Sequence, residues 1–231
     1  WLNIGVVIQP SEILKIATPL MVAWWFQRRE GRPQSGDVAK AFALVLIPFL
    51  LVAKQPDLGT ALLIFFAGFF VIFFAGLSWR LILPVVVVGV VGVAALIIAS
   101  PTLCEPDVDW HVLRTYQKNR VCTLLDPTRD PLGKGFHIIQ GMIAIGSGGV
   151  TGKGFMKGTQ THLEFIPERT SDFIFAAFSE EFGLIGCCLL IAAYTFLILR
   201  GLTIAYEAPT TFSRLLAGSI TMSFFIYAMV N

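Results

Sequence analysis

The residues with the clearest chemical potential end the longest polar segment of the chain, 126–172. The segment closes with PERTSDF, which places Glu168, Arg169 and Asp172 directly before apolar residues. Charged side chains at the mouth of a membrane bundle can contact both the headgroup and the tail of a lipid, and ionisable groups in such places are commonly functional. This junction is therefore predicted to be the site of chemistry.

Asp172 also has a simpler interpretation as a helix cap. Ser171 and Asp172 are both residue types that accept hydrogen bonds from the free N–H groups of a first helical turn. Judged from the residues alone, capping is the more common role. The two roles are compatible, because a residue at the outer end of a helix is both hydrated and held in place.

A second charged pair lies near the beginning of the chain, at the start of another apolar stretch. Glu12 and Lys15 are three positions apart, so their side chains share a helix face and can form an ion pair. On an exposed helix such a pair contributes little stability. At the start of a membrane helix it is a stronger candidate for function.

The composition indicates what kind of structure positions these residues. Hydrophobic residues make up 55% of the chain, charged residues only 14%, and the mean hydropathy is +0.75. Soluble domains carry about 25% charged residues, so an integral membrane protein is predicted. The net charge of +2 is small and no basic run of the nucleic-acid type occurs, which argues against a nucleic-acid partner.

Six apolar stretches predict membrane helices: 13–26, 41–53, 60–77, 81–99, 173–199 and 215–230. Basic residues concentrate in the short connections 27–40 and 200–214, which the positive-inside rule places in the cytoplasm. By alternation, 100–171 is a large loop on the outer face. The predicted fold class is an all-α, polytopic membrane helix bundle with a large extracytoplasmic loop, and 1–231 is predicted to be a single membrane domain.

The cysteines divide between the loop and the helices. Cys104 and Cys122 lie in the predicted outer loop and are hypothesised to form a disulfide if that face is oxidising. Cys187 and Cys188 are adjacent within an apolar stretch and are interpreted as small core residues.

A glycine-rich stretch with Lys153 resembles a phosphate-binding loop, although the Walker spacing is absent; its glycines are Gly146, Gly148, Gly149, Gly152 and Gly154. Tight folding over the bundle is the favoured interpretation of these glycines.

Glu180 and Glu181 interrupt an apolar stretch and require water, a cavity or a partner. His137, His162 and Glu164 lack the spacing of a structural metal site, so no metal ligands are assigned.

Several stretches resemble the SEDS family of bacterial cell-wall synthesis, which includes RodA and FtsW: QPSEILK (9–15), QPDLGT (55–60), LDPTRDPLGKGFHIIQ (125–140), IAIGSGGVTGKGFMKGTQ (143–160), LEFIPERTSDFIFA (163–176) and EEFGLIG (180–186). GTQ before LEF and PER in place of PEA are closer to RodA. The family fold has ten membrane helices, so the resemblance implies a fragment without the N-terminal and C-terminal helices. Both ends are expected to be truncated.

The resemblance implies a peptidoglycan glycosyltransferase that polymerises lipid II into glycan strands for cell elongation and shape. A sugar hydroxyl attacks an anomeric carbon and undecaprenyl pyrophosphate leaves, which requires a base and positive charge near the diphosphate. Asp172 is carried over as the catalytic base, although Thr170 stands where the family has histidine. Substrate-binding roles are implied for Glu12, Lys15, Gln160, Glu168 and Arg169. Arg169 has an alternative role in a salt bridge with Glu168 or Glu164.

The implied partners are lipid II, undecaprenyl pyrophosphate, the membrane and a class B penicillin-binding protein as transpeptidase. The implied location is the bacterial cytoplasmic (inner) membrane, crossed several times. No cofactor is assigned, and a Mg²⁺ or Mn²⁺ ion carried by the pyrophosphate is left open.

The alternative function is a lipid II flippase or transporter, in which charges near the midplane of the membrane would move the headgroup. A scaffold for other cell-wall enzymes is a third candidate function. Most charged residues lie in the outer loop or at helix ends, which argues against transport.

Overall fold

The computed structural model describes residues 2–3, 7–29, 33–55, 57–105, 108, 115–129, 131, 133–159 and 173–230. These residues are almost entirely helical. The helices are α1 Pro10–Gln27, α2 Ser35–Ala53, α3 Leu58–Phe74, α4 Trp79–Leu103, α5 Thr115–Leu125, α6 Lys134–Ser147, α7 Ile174–Glu207 and α8 Thr211–Val230. A 3-10 turn covers Pro127–Arg129, and the two-residue strands β1 (Leu2–Asn3) and β2 (Val7–Ile8) pair antiparallel.

Four of these helices, α2, α4, α7 and α8, are long and apolar enough to cross a membrane. Helix α3 is apolar but has only 17 residues, a rise of about 25 Å against a hydrocarbon core of about 30 Å. Helix α1 is less apolar because polar side chains occupy both of its ends. The predicted class, an all-α polytopic membrane protein, is confirmed, whereas two of the six predicted spans fall short in length or apolarity.

The structure corrects the predicted boundaries of the last two spans. Helix α7 continues past Arg200 to Glu207, so the connection predicted at 200–214 shrinks to residues 208–210. A charged residue at the edge of a bilayer does not end a helix. Pro209 does, because a residue that precedes proline is disfavoured in the helical conformation. The predicted large loop, 100–171, also contains helices of its own, α5 and α6.

The described chain forms two compact units, residues 1–82 with 193–230, and residues 83–192. The first unit packs α1, α2, α3 and α8 around a core that includes Val22, Val45 and Leu215. Gly68 lets α3 approach α2, since a Cβ there would lie 2.4 Å from a methyl carbon of Val45. The Ser219 hydroxyl donates to the Ala67 carbonyl at 2.7 Å and joins α8 to α3.

Aromatic and basic side chains cluster where α1 ends and α2 begins. The guanidinium of Arg28 lies 4.2 Å from the ring of Trp24, and that of Arg29 lies 4.5 Å from the ring of Trp25. Trp25 also donates from its indole nitrogen to the Asp37 carbonyl at 3.3 Å. Tryptophan beside arginine is typical of a membrane–water interface, which agrees with this connection lying at the membrane surface.

In the second unit, a disulfide joins Cys104 to Cys122, with their Cα atoms 5.7 Å apart. The disulfide hypothesised from the sequence is thereby confirmed. Within the closed loop, Lys118 is only 7% exposed, and its ammonium group donates to the carbonyls of Glu105 and Val108. The bridge and the lysine together hold α5 against the end of α4.

Removal of this disulfide should lower the free energy of unfolding by about 3 kcal/mol, because opening a loop of this size restores chain entropy to the unfolded state. The measurement is thermal unfolding in detergent of the complete gene product carrying Cys104→Ser and Cys122→Ser together. Cys188→Ala, at an exposed free thiol, is the matched control and should leave the midpoint unchanged. Equal midpoints for all three proteins would contradict the assigned role.

Candidate active site

The predicted site residues divide between described and undescribed parts of the chain. Glu12 and Lys15 are described, in the first turns of α1. Gln160, Glu168, Arg169 and Asp172, together with His162 and Glu164, lie outside the described residues.

The predicted ion pair between Glu12 and Lys15 is confirmed. Helix α1 begins at Pro10, where the missing N–H costs nothing because first-turn donors lack helical partners. One turn later the Lys15 ammonium lies 2.6 Å from a Glu12 carboxylate oxygen, with Lys15 18% and Glu12 55% exposed. The same ammonium lies 5.6 Å from the centre of the Tyr227 ring on α8. The glutamate and the aromatic ring thus hold the lysine head in place.

This charged group lies in a cavity of about 540 Å³ between α1 and α8, within the range of about 300–1,000 Å³ that small-molecule sites occupy. Polar groups from Glu12, Lys15 and Tyr227 meet at one part of it. The rest of the lining is mainly apolar: Ile16, Pro19, Leu20, Leu216, Ser219, Ile220, Ser223 and Phe224. A cation beside an apolar channel suits an amphiphile with an anionic head and a hydrocarbon tail.

A second cavity, of about 620 Å³, brings the two Gln-Pro stretches together, with Gln9 and Ser11 on one side and Gln55 and Asp57 on the other. Asp57 caps α3 by accepting a hydrogen bond from the Thr60 N–H at 3.1 Å. Ser11 is 4% exposed, and its hydroxyl has no hydrogen-bond partner among the described residues. Sequence reasoning did not bring these residues together, although the repeated Gln-Pro pair was a signal.

The glycine-rich stretch of the second unit, residues 148–154, fills a break in α7. Gly183 interrupts that helix with φ 63° and ψ −163°. Four backbone groups that a continuous helix would pair with one another form hydrogen bonds to this stretch instead, each at 3.0–3.1 Å. The N–H groups of Leu184 and Ile185 donate to the carbonyls of Gly149 and Val150, respectively. The carbonyls of Glu180 and Glu181 accept from the N–H groups of Lys153 and Gly154, respectively. The break therefore leaves none of these four groups unsatisfied.

Glycine is required at this insertion because two backbones approach closely. A Cβ at Gly152 would lie 2.1 Å from the Glu181 carbonyl oxygen, and one at Gly148 would lie 2.1 Å from that of Ser179. Tight folding, the interpretation favoured from the sequence, is what the structure shows. The break in α7 at Gly183 was not predicted from the sequence; its positive φ is a conformation that glycine adopts readily.

The side chain of Glu180 also joins α7 to the segment that precedes it. Glu180 is fully buried, and one carboxylate oxygen accepts hydrogen bonds from the Lys153 ammonium at 2.7 Å and from the Thr159 hydroxyl and N–H, both at 2.9 Å. The sequence predicted that Glu180 needs water, a cavity or a partner, and the structure shows that partners meet this need. Sequence reasoning did not identify Lys153 and Thr159 as those partners.

Packing beside the start of α7 fixes the residue that follows Asp172. Phe173 packs on the buried pair Ala144 and Ala176, and a Cβ at Gly141 would lie 3.1 Å from its ring. The His137 ring lies 6.4 Å from that of Phe173. Among the described residues, no group of three or more His, Cys, Asp or Glu side chains lies together as a metal site would require.

Known proteins match the whole chain. A family model described as cell cycle protein, for FtsW, RodA and SpoVE, matches residues 1–231. Peptidoglycan glycosyltransferase MrdB of Escherichia coli strain K12 is 51% identical, covering 100% of this chain and 60% of the relative. Stage V sporulation protein E of Bacillus subtilis strain 168 is 32% identical, with the same two coverages.

A solved structure is also similar. It is described as "Structural coordination of polymerization and crosslinking by a peptidoglycan synthase complex" and matches with a TM-score of 0.69 at 30% identity, covering 100% of this chain and 60% of the solved one. The chain thus spans about 60% of the length of the first curated relatives it matches.

Proposed function

The chain belongs to the FtsW, RodA and SpoVE family of cell cycle proteins, and from that premise we propose that it is a peptidoglycan glycosyltransferase that polymerises lipid II for cell elongation and shape. The observation that carries the proposal is the 51% identity, over the whole chain, to a protein named peptidoglycan glycosyltransferase MrdB. The SEDS resemblance predicted from the sequence motifs is confirmed by the same matches.

The proposed reaction assigns Asp172 the role of general base. The acceptor hydroxyl gives its proton to the Asp172 carboxylate while its oxygen bonds to the anomeric carbon of the donor, and the bond from that carbon to the diphosphate breaks. General bases contribute about 10²- to 10⁴-fold to such steps when they are held in position. Phe173, the next residue, packs on Ala144 and Ala176, so the start of the helix that follows Asp172 is anchored.

Lys15 is assigned to the diphosphate of a lipid-linked sugar. The departing group gains negative charge, which a nearby ammonium stabilises. The apolar cavity beside Lys15 supports this role, because a polyprenyl chain can lie along it while Glu12 and Tyr227 orient the ammonium group. Gln160, Glu168 and Arg169 stay predicted substrate-binding residues, and no cofactor is assigned.

The proposed setting is the bacterial cytoplasmic (inner) membrane with residues 100–171 outside the cytoplasm. The disulfide between Cys104 and Cys122 supports this orientation, because disulfides persist on oxidising sides of membranes. A class B penicillin-binding protein is the proposed partner. The similar solved structure, described as a peptidoglycan synthase complex that coordinates polymerization and crosslinking, supports that partner.

A lipid II flippase is the second candidate, and the pair of Glu180 and Lys153 is the observation that favours it. Charge pairs buried among membrane helices often mark transport paths. In this pair, however, the glutamate oxygen is already bonded to three donors from a folded loop. That arrangement suits a fixed support better than a group that exchanges partners during transport.

The deciding experiment incubates the complete gene product, with its penicillin-binding protein partner, with fluorescent lipid II and separates the products by size. Glycan strands longer than the disaccharide unit are expected. A parallel assay in vesicles measures movement of lipid II across the bilayer. Transport without any polymer would replace the proposed function with the flippase.

A further inference from the structure

The cavity of about 620 Å³, here called the Gln-Pro cavity, lies where α1 and α3 begin and α2 ends. Its polar lining comes from Gln9 and Ser11 at the start of α1 and from Gln55 and Asp57 between α2 and α3. The connection from α1 to α2 is predicted to be cytoplasmic. The Gln-Pro cavity therefore lies at the opposite, outer ends of these helices, on the side where the proposed reaction takes place.

The chemistry of this lining suits a ligand with several hydroxyl and amide groups. Amide side chains both donate and accept hydrogen bonds, as does a hydroxyl, and a carboxylate accepts them. Among the described residues that line the cavity, none is basic, so they offer no cation to a diphosphate. The hydroxyl and N-acetyl groups of a sugar match these donors and acceptors, and the apolar side chains of Leu14 and Val52 can cover the face of its ring.

Ser11 carries an unmet hydrogen bond at this cavity. The residue is only 4% exposed, and its hydroxyl has no partner among the described residues. A buried polar group without a partner costs stability, and most such groups are paired. Since Ser11 lines the cavity, a ligand bound there can supply the missing partner.

We propose that the Gln-Pro cavity binds the donor sugar of the lipid-linked substrate, the N-acetylated ring that is bonded to the departing diphosphate. The inference rests on the proposed function, because it assigns a subsite for that substrate. It also rests on Lys15, to which the diphosphate is assigned. The charge of Lys15 holds the diphosphate, and the neutral groups of the cavity hold the sugar.

The position of Ser11 relative to Lys15 supports this division. The two residues are four positions apart, so they lie on the same side of α1 and about 6 Å apart along its axis. The Lys15 ammonium lies 2.6 Å from a carboxylate oxygen of Glu12, the residue after Ser11, so the lysine side chain leans toward the start of the helix. A sugar bonded directly to a diphosphate at Lys15 is thereby brought to the cavity.

The test begins with Ser11→Ala in the complete gene product, because this variant removes one hydroxyl and little else. Binding of fluorescent lipid II in detergent should weaken by about 3- to 10-fold, the effect of one lost hydrogen bond. Binding of undecaprenyl pyrophosphate, which has the diphosphate and the lipid but no sugar, should be unchanged. Gln55→Ala, at an exposed residue of the same lining, should have the same selective effect.

Thermal unfolding without ligand separates a binding role of Ser11 from a structural one. Because the hydroxyl has no partner among the described residues, Ser11→Ala should unfold at the same temperature as the unaltered protein or higher. Thr18→Val is the matched control: Thr18 is also buried on α1 with an unpartnered hydroxyl, but it lines neither cavity. This control should bind both ligands at the unaltered affinity.

A soluble glycan fragment, which carries the sugars without the lipid, tests the growing strand as the other source of a sugar. Weaker binding of this fragment to Ser11→Ala, with lipid II binding unchanged, would overturn the donor-sugar assignment. Equal weakening of lipid II and undecaprenyl pyrophosphate would do the same, as would unaltered lipid II affinity in both Ser11→Ala and Gln55→Ala. These results would leave the glycosyltransferase in place. An unaltered protein that makes no polymer would overturn the proposed function and the assignment with it.

Discussion

Asp172→Asn should reduce the rate of lipid II polymerisation by about 10³-fold, within the range of about 10²- to 10⁴-fold that a general base contributes. Asparagine keeps the size of the side chain and cannot take a proton from the acceptor hydroxyl. It is also as good a helix cap as aspartate. The substitution therefore separates the two roles that the sequence allows for this residue, because only the catalytic role is lost.

The measurement is single-turnover polymerisation of labelled lipid II by the complete gene product, after the variant is shown to unfold at the same temperature as the unaltered protein. Asp126→Asn is the matched control: Asp126 begins the polar segment 126–172 that Asp172 ends, and its carboxylate accepts a hydrogen bond from the Thr128 N–H at 3.1 Å. The control should keep activity within about 3-fold. Polymer formation by Asp172→Asn at the unaltered rate would remove Asp172 from the mechanism.

Gly148→Ala is expected to have the largest effect on folding. The added methyl carbon would lie 2.1 Å from the Ser179 carbonyl oxygen, which is backbone and cannot rotate away. Overpacking of this kind costs about 1–3 kcal/mol or more, and here it also separates residues 148–154 from the break in α7. The four backbone groups that bond across the break would then lose the partners they have in the structure.

Gly146→Ala is the matched control for this substitution, since a Cβ at Gly146 meets nothing within 4 Å. Gly146 lies within α6, where alanine is more favourable than glycine by about 0.5–1 kcal/mol. Size-exclusion chromatography and thermal unfolding in detergent should show loss of folded Gly148→Ala and a neutral or raised midpoint for Gly146→Ala. Equal stability of the two variants would contradict the tight insertion.

Local features of the chain were predictable because they depend on residues within one or two helical turns. The ion pair of Glu12 and Lys15 follows from a spacing of three residues and is present at 2.6 Å. The membrane class follows from composition, since long apolar stretches have few other stable settings. Boundaries were less predictable: α7 passes Arg200 and stops only before Pro209.

The candidate site was predictable only in part. Motif resemblance singled out Glu12, Lys15 and Asp172, and the structure adds the cavity and Tyr227 beside Lys15. Tyr227 was not predicted, because nothing in the sequence around it differs from other apolar stretches. Its proximity to Lys15 results from the packing of α8 against α1, which no local pattern reports.

By itself, the sequence determined that the chain is a helical membrane protein of the SEDS family and that Glu180, inside an apolar stretch, needs water, a cavity or a partner. Only the tertiary structure decided which partner: Lys153, 27 residues away, and Thr159, 21 residues away. The physical reason is that burial demands a hydrogen bond without specifying its source. Which residues donate depends on which segments pack together, and here the glycine-rich stretch packs into the break in α7.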